Sequence, residues 1–226
     1  MHIETLPVKV AGDPFFTVNC YLISATAASD CVVAIDPGDQ AEVILKQIAT
    51  RTLAAIILTH GHYDHLGAVT ELVEATGAKL YIHQDEVANV EEGYEAVRKG
   101  FFRFLKFVNP ETNSYDNPAA TRAPGVAETL TEGELLELCG LKLRVMHTPG
   151  HSKGSLCLYA SDEGVLFSGD TLFKGTCGRT DLGGSPAQMH DTLARLATLP
   201  PRTVVYPGHE GTTTIGEELQ RGLSEY

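Results

Sequence analysis

The chain contains 226 residues, of which 43% are hydrophobic, and its 17 Lys and Arg against 29 Asp and Glu give a formal net charge of −12. This length and apolar content suffice for one sizeable core, and we find no low-complexity linker, so we expect a single domain over residues 1–226. The negative charge argues against a nucleic-acid partner, because such binding depends on Lys and Arg that neutralise phosphates.

Targeting and cysteine signals predict a cytoplasmic protein without a membrane partner. Residues 1–10 lack the basic start and apolar core of a secretory signal, and no apolar run approaches the roughly 18 residues of a membrane span. The five cysteines are odd in number and form no Cys-x-x-Cys pair. We therefore expect reduced, mostly buried thiols, and neither a disulfide framework nor a cysteine-rich zinc site.

Strands and helices alternate in the first third of the chain. Three segments rich in Val, Ile, Phe and Tyr are predicted as strands: 3–10, 15–24 and 31–35. The pattern then predicts helix, buried strand, helix and strand, over about 39–50, 54–58, about 66–76 and 78–82. This alternation is typical of an α/β fold.

Four candidate metal ligands follow the strand at 54–58. The segment Thr-His-Gly-His-Tyr-Asp-His-Leu-Gly contains them as His60, His62, Asp64 and His65. Imidazole nitrogen and carboxylate oxygen are ligands of zinc, iron and manganese, and so many in one loop have little structural use otherwise. His60 and His62 point to the same side of an extended chain, whereas Asp64 and His65 fall where a helix would start. One loop can therefore supply two adjacent metals.

Residues 84–125 interrupt the alternation and predict a helical insertion. Four apolar residues recur there at helical spacing, namely Phe101, Phe104, Leu105 and Val108, and basic residues accompany them at Arg98, Lys99, Arg103 and Lys106. Two interpretations fit this pattern. The insertion is either an amphipathic helix packed on the core or a lid whose cations attract an anionic substrate.

The β pattern returns at Gly133 and brings three more candidate ligands. Strands are predicted over 134–138, 141–146, 155–160, 165–167 and 203–206, with helices over about 186–198 and from about 215. His151, Asp170 and His209 each follow one of these strands, next to a Gly that permits a tight turn. The halves thus repeat one order of strands, loops and helix, which predicts two stacked sheets with helices outside and ligands meeting at one edge.

These motifs resemble those of the metallo-β-lactamase superfamily, and within it the glyoxalase II-like hydrolases. The resemblance runs from Asn19-Cys20-Tyr21 and Asp36-Pro37-Gly38 to Pro207-Gly208-His209. It implies a four-layer αββα sandwich and two divalent metal ions, zinc in the first place, with iron or manganese as alternatives. It assigns His60, His62 and His151 to one metal, Asp64, His65 and His209 to the other, and Asp170 to both as a bridge.

Hydrolysis of a thioester is the reaction expected of such a site. Two metals that share a water lower its pKa and give a bridging hydroxide that attacks a carbonyl, while the metals stabilise the oxyanion and the departing thiolate. Asp64 and Asp170 are the catalytic carboxylates, and Asp64 can also relay a proton. Asp36 either accepts a hydrogen bond from a ligating imidazole or simply forms its Asp-Pro-Gly turn.

Arg179 is the candidate substrate-binding residue. It matches the basic residue after Cys-Gly in the glyoxalase II glutathione site, and it either clamps a substrate carboxylate or pairs with Asp181. Asp181 and Gly211 stand where that family has tyrosines, and the chain ends before the family's C-terminal helical domain. The resemblance is therefore to a short glyoxalase II-like thioesterase that acts on an anionic acyl-thiol, with glutathione disfavoured.

The persulfide dioxygenases resemble the chain too, at Cys177-Gly178-Arg179-Thr180-Asp181. That family binds one iron through the equivalents of His60, His151 and Asp170, so an iron-dependent oxidoreductase is the alternative, although Gly61 and Tyr63 differ from its usual Val and Ala. A lactonase is less favoured, as is an exported β-lactamase, which commonly has Cys in place of Asp170. A non-catalytic metal protein is also less favoured, because structural zinc sites usually have four protein ligands.

Overall fold

Two six-stranded β-sheets with flanking helices make up the part of the chain that the computed structural model describes, which is residues 1–10, 17–87, 90 and 128–223. The first sheet has the strand order β1-β2-β3-β4-β5-β6. Its strands are β1 His2–Lys9, β2 Thr17–Ser24, β3 Cys31–Ile35, β4 Thr52–Ile57, β5 Lys79–His83 and β6 Glu128–Leu130. The first three pair antiparallel, and β3 to β6 pair in parallel.

Helices make the crossovers from β3 to β4 and from β4 to β5, as is usual between parallel strands. They are α1 Ala41–Ile48, α2 Tyr63–Leu66 and α3 Val69–Thr76. Ile44 and Ile48 of α1 are buried against the sheet, and burial of such a side chain contributes about 1.5–3 kcal/mol. The strands β3, β4 and β5 are continuous apolar runs because both faces of the sheet are covered.

The second sheet has the order β14-β13-β10-β9-β8-β7. Its strands are β7 Leu135–Leu138, β8 Leu141–His147, β9 Leu156–Ala160, β10 Val165–Gly169, β13 Val204–Pro207 and β14 Thr213–Thr214. A small hairpin sheet pairs β11 Leu172–Phe173 with β12 Thr176–Cys177, and two helices follow, α4 Pro186–Leu196 and α5 Ile215–Gln220. Ser185 caps α4 and a capping box begins α5 at Thr214.

The layers follow from the alternation of side chains along each strand. In β2, Cys20 and Leu22 face the helices, whereas Tyr21 and Ile23 face the second sheet. The ring of Tyr21 lies 5.3 Å from that of Phe167 across the interface. The outer face of the second sheet is covered by α4 and α5. The order is therefore helix, sheet, sheet, helix, which confirms the predicted four-layer sandwich.

Two features of the secondary structure differ from the sequence predictions. The helix expected over about 66–76 is two short helices, because the Ala68 N–H donates to Pro37 O instead of continuing the first helix. The strands β6, β11, β12 and β14 were not predicted, since two or three residues show no periodicity. Most of the insertion predicted at about 84–125 lies outside the described residues, so both interpretations of it stay predictions. Among the helices that are described, none is long and apolar enough to cross a bilayer.

A disulfide between Cys31 and Cys139 corrects the expectation that all thiols are reduced. It joins the first residue of β3 to the turn between β7 and β8, and so links the two sheets, with a Cα–Cα distance of 5.4 Å. The two cysteines are 108 residues apart in sequence, so no local spacing could reveal the pair. The other three cysteines are free, and Cys20 and Cys157 are buried as expected.

Candidate metal centre

All seven predicted ligands meet at one edge of the sandwich, where loops leave the carboxyl ends of strands in both sheets. The loop after β4 brings His60, His62, Asp64 and His65; the second sheet brings His151 after β8, Asp170 after β10 and His209 after β13. Two groups of three could each hold a metal ion, because their donor atoms lie within 4.8 Å of one another: His60, His62 and His151, and Asp64, His65 and His209. Each group combines ligands from the two sheets.

The first group contains three imidazoles that face one point. His62 Nδ1 lies 2.8 Å from His151 Nε2, and the ring of His60 lies 4.7 Å from that of His62 and 4.8 Å from that of His151, nearly perpendicular to both. Nitrogens bound to one tetrahedral zinc ion at its usual bond length lie about 3.3 Å apart. A small outward shift of one ring would bring His62 Nδ1 and His151 Nε2 to this spacing.

Asp170 lies between the two groups. Its Oδ2 is 3.6 Å from His151 Nε2 of the first group and 3.4 Å from His209 Nε2 of the second. Its Oδ1 is 3.3 Å from His65 Nε2, and Asp64 Oδ2 is 3.3 Å from His209 Nε2. These separations match ligand spacings around a metal, and the position of Asp170 is the one that a bridging carboxylate would take.

Unpaired buried atoms test whether the residues fit metal ions. His60 Nε2, His65 Nε2 and Asp170 Oδ1 are buried and, among the described residues, have no hydrogen-bond partner. A buried polar atom left without a partner costs about 1–3 kcal/mol, so three in one cluster require an explanation. Coordination would satisfy all three, and the nitrogen and oxygen donors suit a borderline divalent ion. The residues fit two such ions.

Contacts of Nδ1 on the far side of four of the five rings leave Nε2 facing the centre, whereas His62 faces it with Nδ1. The Nδ1–H groups of three rings donate to oxygens: His65 to Asp36 Oδ2 at 2.9 Å, His151 to Arg179 O at 2.7 Å, and His209 to Thr17 O at 2.7 Å. His60 Nδ1 lies 3.1 Å from Thr59 Oγ1. Because Nδ1 is engaged in these four rings, Nε2 is the nitrogen that a metal would bind, in exchange for any proton it carries.

Asp36 organises the loop behind these rings. Besides His65 Nδ1–H, its carboxylate accepts hydrogen bonds from the Thr59 N–H at 2.8 Å and from Thr59 Oγ1 at 2.7 Å, and it is buried. Its backbone has φ of 49°, an uncommon conformation that Asp tolerates better than most residues. The predicted hydrogen bond to an imidazole is present, and Asp36 also occupies the predicted turn.

Contacts within the centre favour protonated histidines beside ionised carboxylates. Burial opposes charge at His65, but Asp170, Asp64 and Asp36 outweigh it and hold its pKa well above the usual value. Burial is likewise outweighed at His209, where hydrogen bonds to Asp170 and Asp64 raise the pKa to about 10. The same contacts hold the pKa of both carboxylates below the usual range despite burial. Protons on His65 and His209 thus supply the positive charge that metal ions would otherwise supply.

Close backbone packing requires glycine at the centre. A Cβ atom at Gly208 would lie 2.3 Å from Asp170 Oδ1 and 2.7 Å from His65 Cε1. The loop that carries His209 is held by β2, since Asn19 Nδ2 donates to Pro207 O and Glu210 O, and Tyr21 Oη donates to Pro207 O. Asn19 and Tyr21 were noted in the sequence only as part of the family resemblance, because their role depends on contacts almost 190 residues away.

The centre opens into a cavity of about 1010 Å³. His62, Asp64, His151, Asp170 and His209 lie in its wall, together with Tyr63, Phe173, Cys177, Arg179 and Leu182. Arg179 is exposed and forms a two-point ion pair with Asp181, with both N–O distances at 2.6 Å. Both predicted interpretations of Arg179 therefore stay compatible with its position, since it lines the cavity and is also paired.

A third cluster, His83, Asp85 and His147, has donor atoms within 4.8 Å but does not fit one ion. The two imidazole rings are stacked at 4.2 Å with an interplanar angle of 7°. The lone pairs of parallel rings lie in parallel planes and do not converge on one point. In addition, His83 Nδ1 accepts a hydrogen bond from Asp85 N.

Several known proteins are similar to this chain in sequence. The chain is 36% identical over 207 residues to an uncharacterised protein of Mycobacterium leprae (strain TN), covering 88% of this chain and 89% of that one. It is 34% identical over 208 residues to a hydroxyacylglutathione hydrolase of Ectopseudomonas mendocina (strain ymp), covering 91% of this chain but 66% of the enzyme. The chain thus spans about two thirds of that enzyme's length.

Solved structures agree with the sandwich. TTHA1623 in a di-iron-bound form superposes with a TM-score of 0.76 at 36% identity, covering 96% of this chain and 98% of that one. BLEG-1, a B3 metallo-beta-lactamase, has a TM-score of 0.72 at 30% identity, and the match covers 97% of both chains. ETHE1 from Myxococcus xanthus has a TM-score of 0.72 at 26% identity, covering 100% of this chain and 85% of that one. A sequence profile of the metallo-beta-lactamase superfamily matches residues 13–209. The chain belongs to the metallo-beta-lactamase superfamily.

Proposed function

We propose that the protein is a binuclear metal-dependent hydrolase that acts on a thioester, similar to glyoxalase II. The observation that carries the proposal is the position of Asp170 between two three-ligand groups at the wall of an open cavity. Each ion would have three protein ligands of its own and would share Asp170 with the other ion, and both groups contribute side chains to the cavity wall, where water or substrate can reach them. Its likeness to a hydroxyacylglutathione hydrolase supports the reaction class.

Two divalent ions bound here would activate a water molecule as nucleophile and polarise the acyl carbonyl. Asp170, whose Oδ2 faces His151 of the first group and His209 of the second, would contribute to holding both ions. Asp64, whose pKa is held below the usual range, stays ionised and can take the proton of that water while remaining a ligand. A thiolate leaving group needs little protonation, so no further general acid is required.

Apolar and polar parts of the cavity suit an acyl-thiol. Phe173 and Leu182 provide apolar contact surface in the wall. The guanidinium of Arg179 can bind a substrate carboxylate if that carboxylate replaces Asp181 as its partner. We propose an anionic acyl-thiol as the substrate class and zinc as the native metal. Iron and manganese suit the same donors, and the di-iron form of TTHA1623 favours testing iron first among these.

The first test is metal identity and stoichiometry by elemental analysis of protein purified without added metal, followed by turnover of a thioester panel. Two equivalents and thioesterase activity support the proposal. Asp170→Ala should lose most of that activity and remain folded, whereas Asp162→Ala, which replaces an exposed carboxylate, should retain it. Full activity in Asp170→Ala would overturn the assignment.

Arg179→Ala separates the substrate-binding hypothesis from the metal chemistry. If Arg179 binds the substrate carboxylate, its loss should raise KM for anionic thioesters more than for neutral ones and leave kcat little changed. Equal effects on both substrate types would show that the Asp181 pair is its main role.

A mononuclear iron persulfide dioxygenase is the second candidate. The Cys177–Asp181 segment on which that resemblance rests contributes Cys177 and Arg179 to the cavity wall. One equivalent of iron with oxygen uptake on a persulfide would favour it over the hydrolase. A β-lactam belongs in the substrate panel as well, since BLEG-1 covers almost the whole chain.

A further inference from the structure

Glu86 is a fully buried carboxylate next to the metal centre that no sequence motif marks. It ends the 3-10 turn Gln84–Glu86, directly after β5, and it is 0% exposed. Its Oε2 accepts a hydrogen bond from the Gly61 N–H at 2.8 Å. Its Oε1 accepts from Ser152 Oγ at 2.7 Å and from the Gly154 N–H at 2.7 Å. A buried charge is costly unless such donors compensate it.

These donors belong to the two loops that carry the first group of ligands. Gly61 lies between His60 and His62 in the loop after β4, whereas Ser152 and Gly154 follow His151 in the loop after β8. The loops come from different sheets, and Glu86 reaches one with each carboxylate oxygen. One side chain therefore bonds to both loops and fixes the distance between the His60–His62 pair and His151.

Close packing around Glu86 makes this connection rigid. A Cβ atom at Gly154 would lie 2.7 Å from Glu86 Cγ, so the loop after β8 approaches Glu86 as closely as glycine allows. Ser152 is also held at 2.7 Å from Ser155 Oγ, and the Leu156 N–H donates to Thr59 O, the residue before His60. Within the part of the chain that the structure describes, other residues hold the second group: His65 donates to Asp36 and His209 donates to Thr17 O.

We propose that Glu86 is a positioning residue for the first metal site, formed by His60, His62 and His151. It fixes the distance between the two ligand loops without contacting the metal, and it thereby sets the affinity of this site relative to that of the second. The inference rests on the proposed binuclear centre. Outer hydrogen-bond partners of metal ligands typically change affinity by about 10–100-fold.

Glu86→Gln tests the inference, because the amide keeps the size of the side chain but presents an N–H₂ group to one of the two loops. Metal-free protein is titrated with Zn²⁺ against a chromophoric chelator. We expect the affinity of one site to fall by about 10–100-fold and that of the other to change by less than about threefold. Glu218→Gln is the matched control, since Glu218 is also 0% exposed but belongs to α5, where it accepts from the Gly175 N–H, Thr213 Oγ1 and Arg221.

Cobalt identifies the site that is lost. His151→Ala removes a ligand of the first site and His209→Ala a ligand of the second, so their Co²⁺ complexes give reference visible spectra. With one equivalent of Co²⁺, Glu86→Gln should match His151→Ala. A match to His209→Ala, unchanged Zn²⁺ affinities, or an equal loss in Glu218→Gln would each overturn the inference.

Ser152→Ala keeps the test decisive if Glu86→Gln does not fold. It removes one hydrogen bond to Oε1 and leaves the carboxylate in place, so the first-site affinity should fall in the same direction by a smaller factor. An unchanged first site in Ser152→Ala would contradict the inference. If the wild-type protein binds no second metal ion, the proposed binuclear function fails instead, and that outcome is visible before any variant is made.

Discussion

Asp36→Asn should weaken the second metal site by changing which nitrogen of His65 carries its proton. The carboxylate of Asp36 accepts from His65 Nδ1–H at 2.9 Å and from Thr59 N–H and Oγ1 at 2.8 and 2.7 Å. An amide can keep the bond to the Thr59 N–H with its oxygen, but its N–H₂ group then faces His65 Nδ1. His65 must accept there, so its proton moves to Nε2, the atom that faces Asp170.

The expected magnitude follows from these contacts. Losing the correct ring tautomer should lower the affinity of the second site by about 10–100-fold, or about 1.4–2.8 kcal/mol. The first site should change less, since His60 reaches Asp36 only through Thr59 Oγ1. The free energy of unfolding of the metal-free protein should fall by about 1–3 kcal/mol, because His65, which is charged in that state, loses the buried carboxylate that accepts its Nδ1–H.

Competition titration with Zn²⁺ and urea unfolding of the metal-free protein measure the two effects. Asp162→Asn is the control, because the same chemical change is made at an exposed carboxylate. Wild-type affinity at both sites in Asp36→Asn would refute the idea that Asp36 sets the His65 tautomer. A loss confined to the first site would refute it as well.

Three further predictions concern protons, packing and the disulfide. In the metal-free protein the pKa of His209 is about 10 and that of His65 is well above its usual value, so binding of two metal ions at pH 8 should release about two protons, detectable with a pH indicator in weak buffer. The raised pKa of His209 stabilises the metal-free fold fully below pH 6.5, and this contribution is lost as pH rises toward 10; unfolding free energies that increase over this range would contradict the assignment. Gly208→Ala should lower second-site affinity at least about 10-fold because its Cβ would displace Asp170 and His65, whereas Gly211→Ala, where a Cβ meets nothing within 4 Å, should bind metal normally. Replacing both Cys31 and Cys139 by Ser should lower the free energy of unfolding by about 2–4 kcal/mol in urea, and equal stability with and without the bond would show that it does not constrain the unfolded chain.

The fold and the meeting of the seven candidate ligands at one edge were predictable because their signals are local. Each ligand follows a strand whose apolar run is visible in the sequence, and parallel strands bring such loops to one edge. The opening cluster of His60, His62, Asp64 and His65 needs no tertiary information to be noticed. The two halves of the chain repeat one order of strands and helix, and this repeat predicts the four-layer sandwich that the structure has.

Other parts of the site depend on contacts that no local pattern encodes. Glu86 acts through hydrogen bonds to residues 25 and 66 positions away, and a lone Glu after a strand looks like any surface residue. Cys31 pairs with Cys139 because the two sheets place them together, and an odd cysteine count conceals such a pair. The break between α2 and α3 arises from Pro37 O, which takes the Ala68 N–H out of the helix.

The Cys31–Cys139 bond lies at the end of β3 opposite to Asp36, and therefore at the end of the sandwich away from the metal centre. Covalent attachment keeps the two sheets together at that end whether or not metal is present. At the other end, each proposed metal would be held by ligands from both sheets. Without metals, the disulfide is the covalent link between the two sheets, and it lies at one end of them. Thermal unfolding should therefore begin at the ligand loops and extend toward the disulfide.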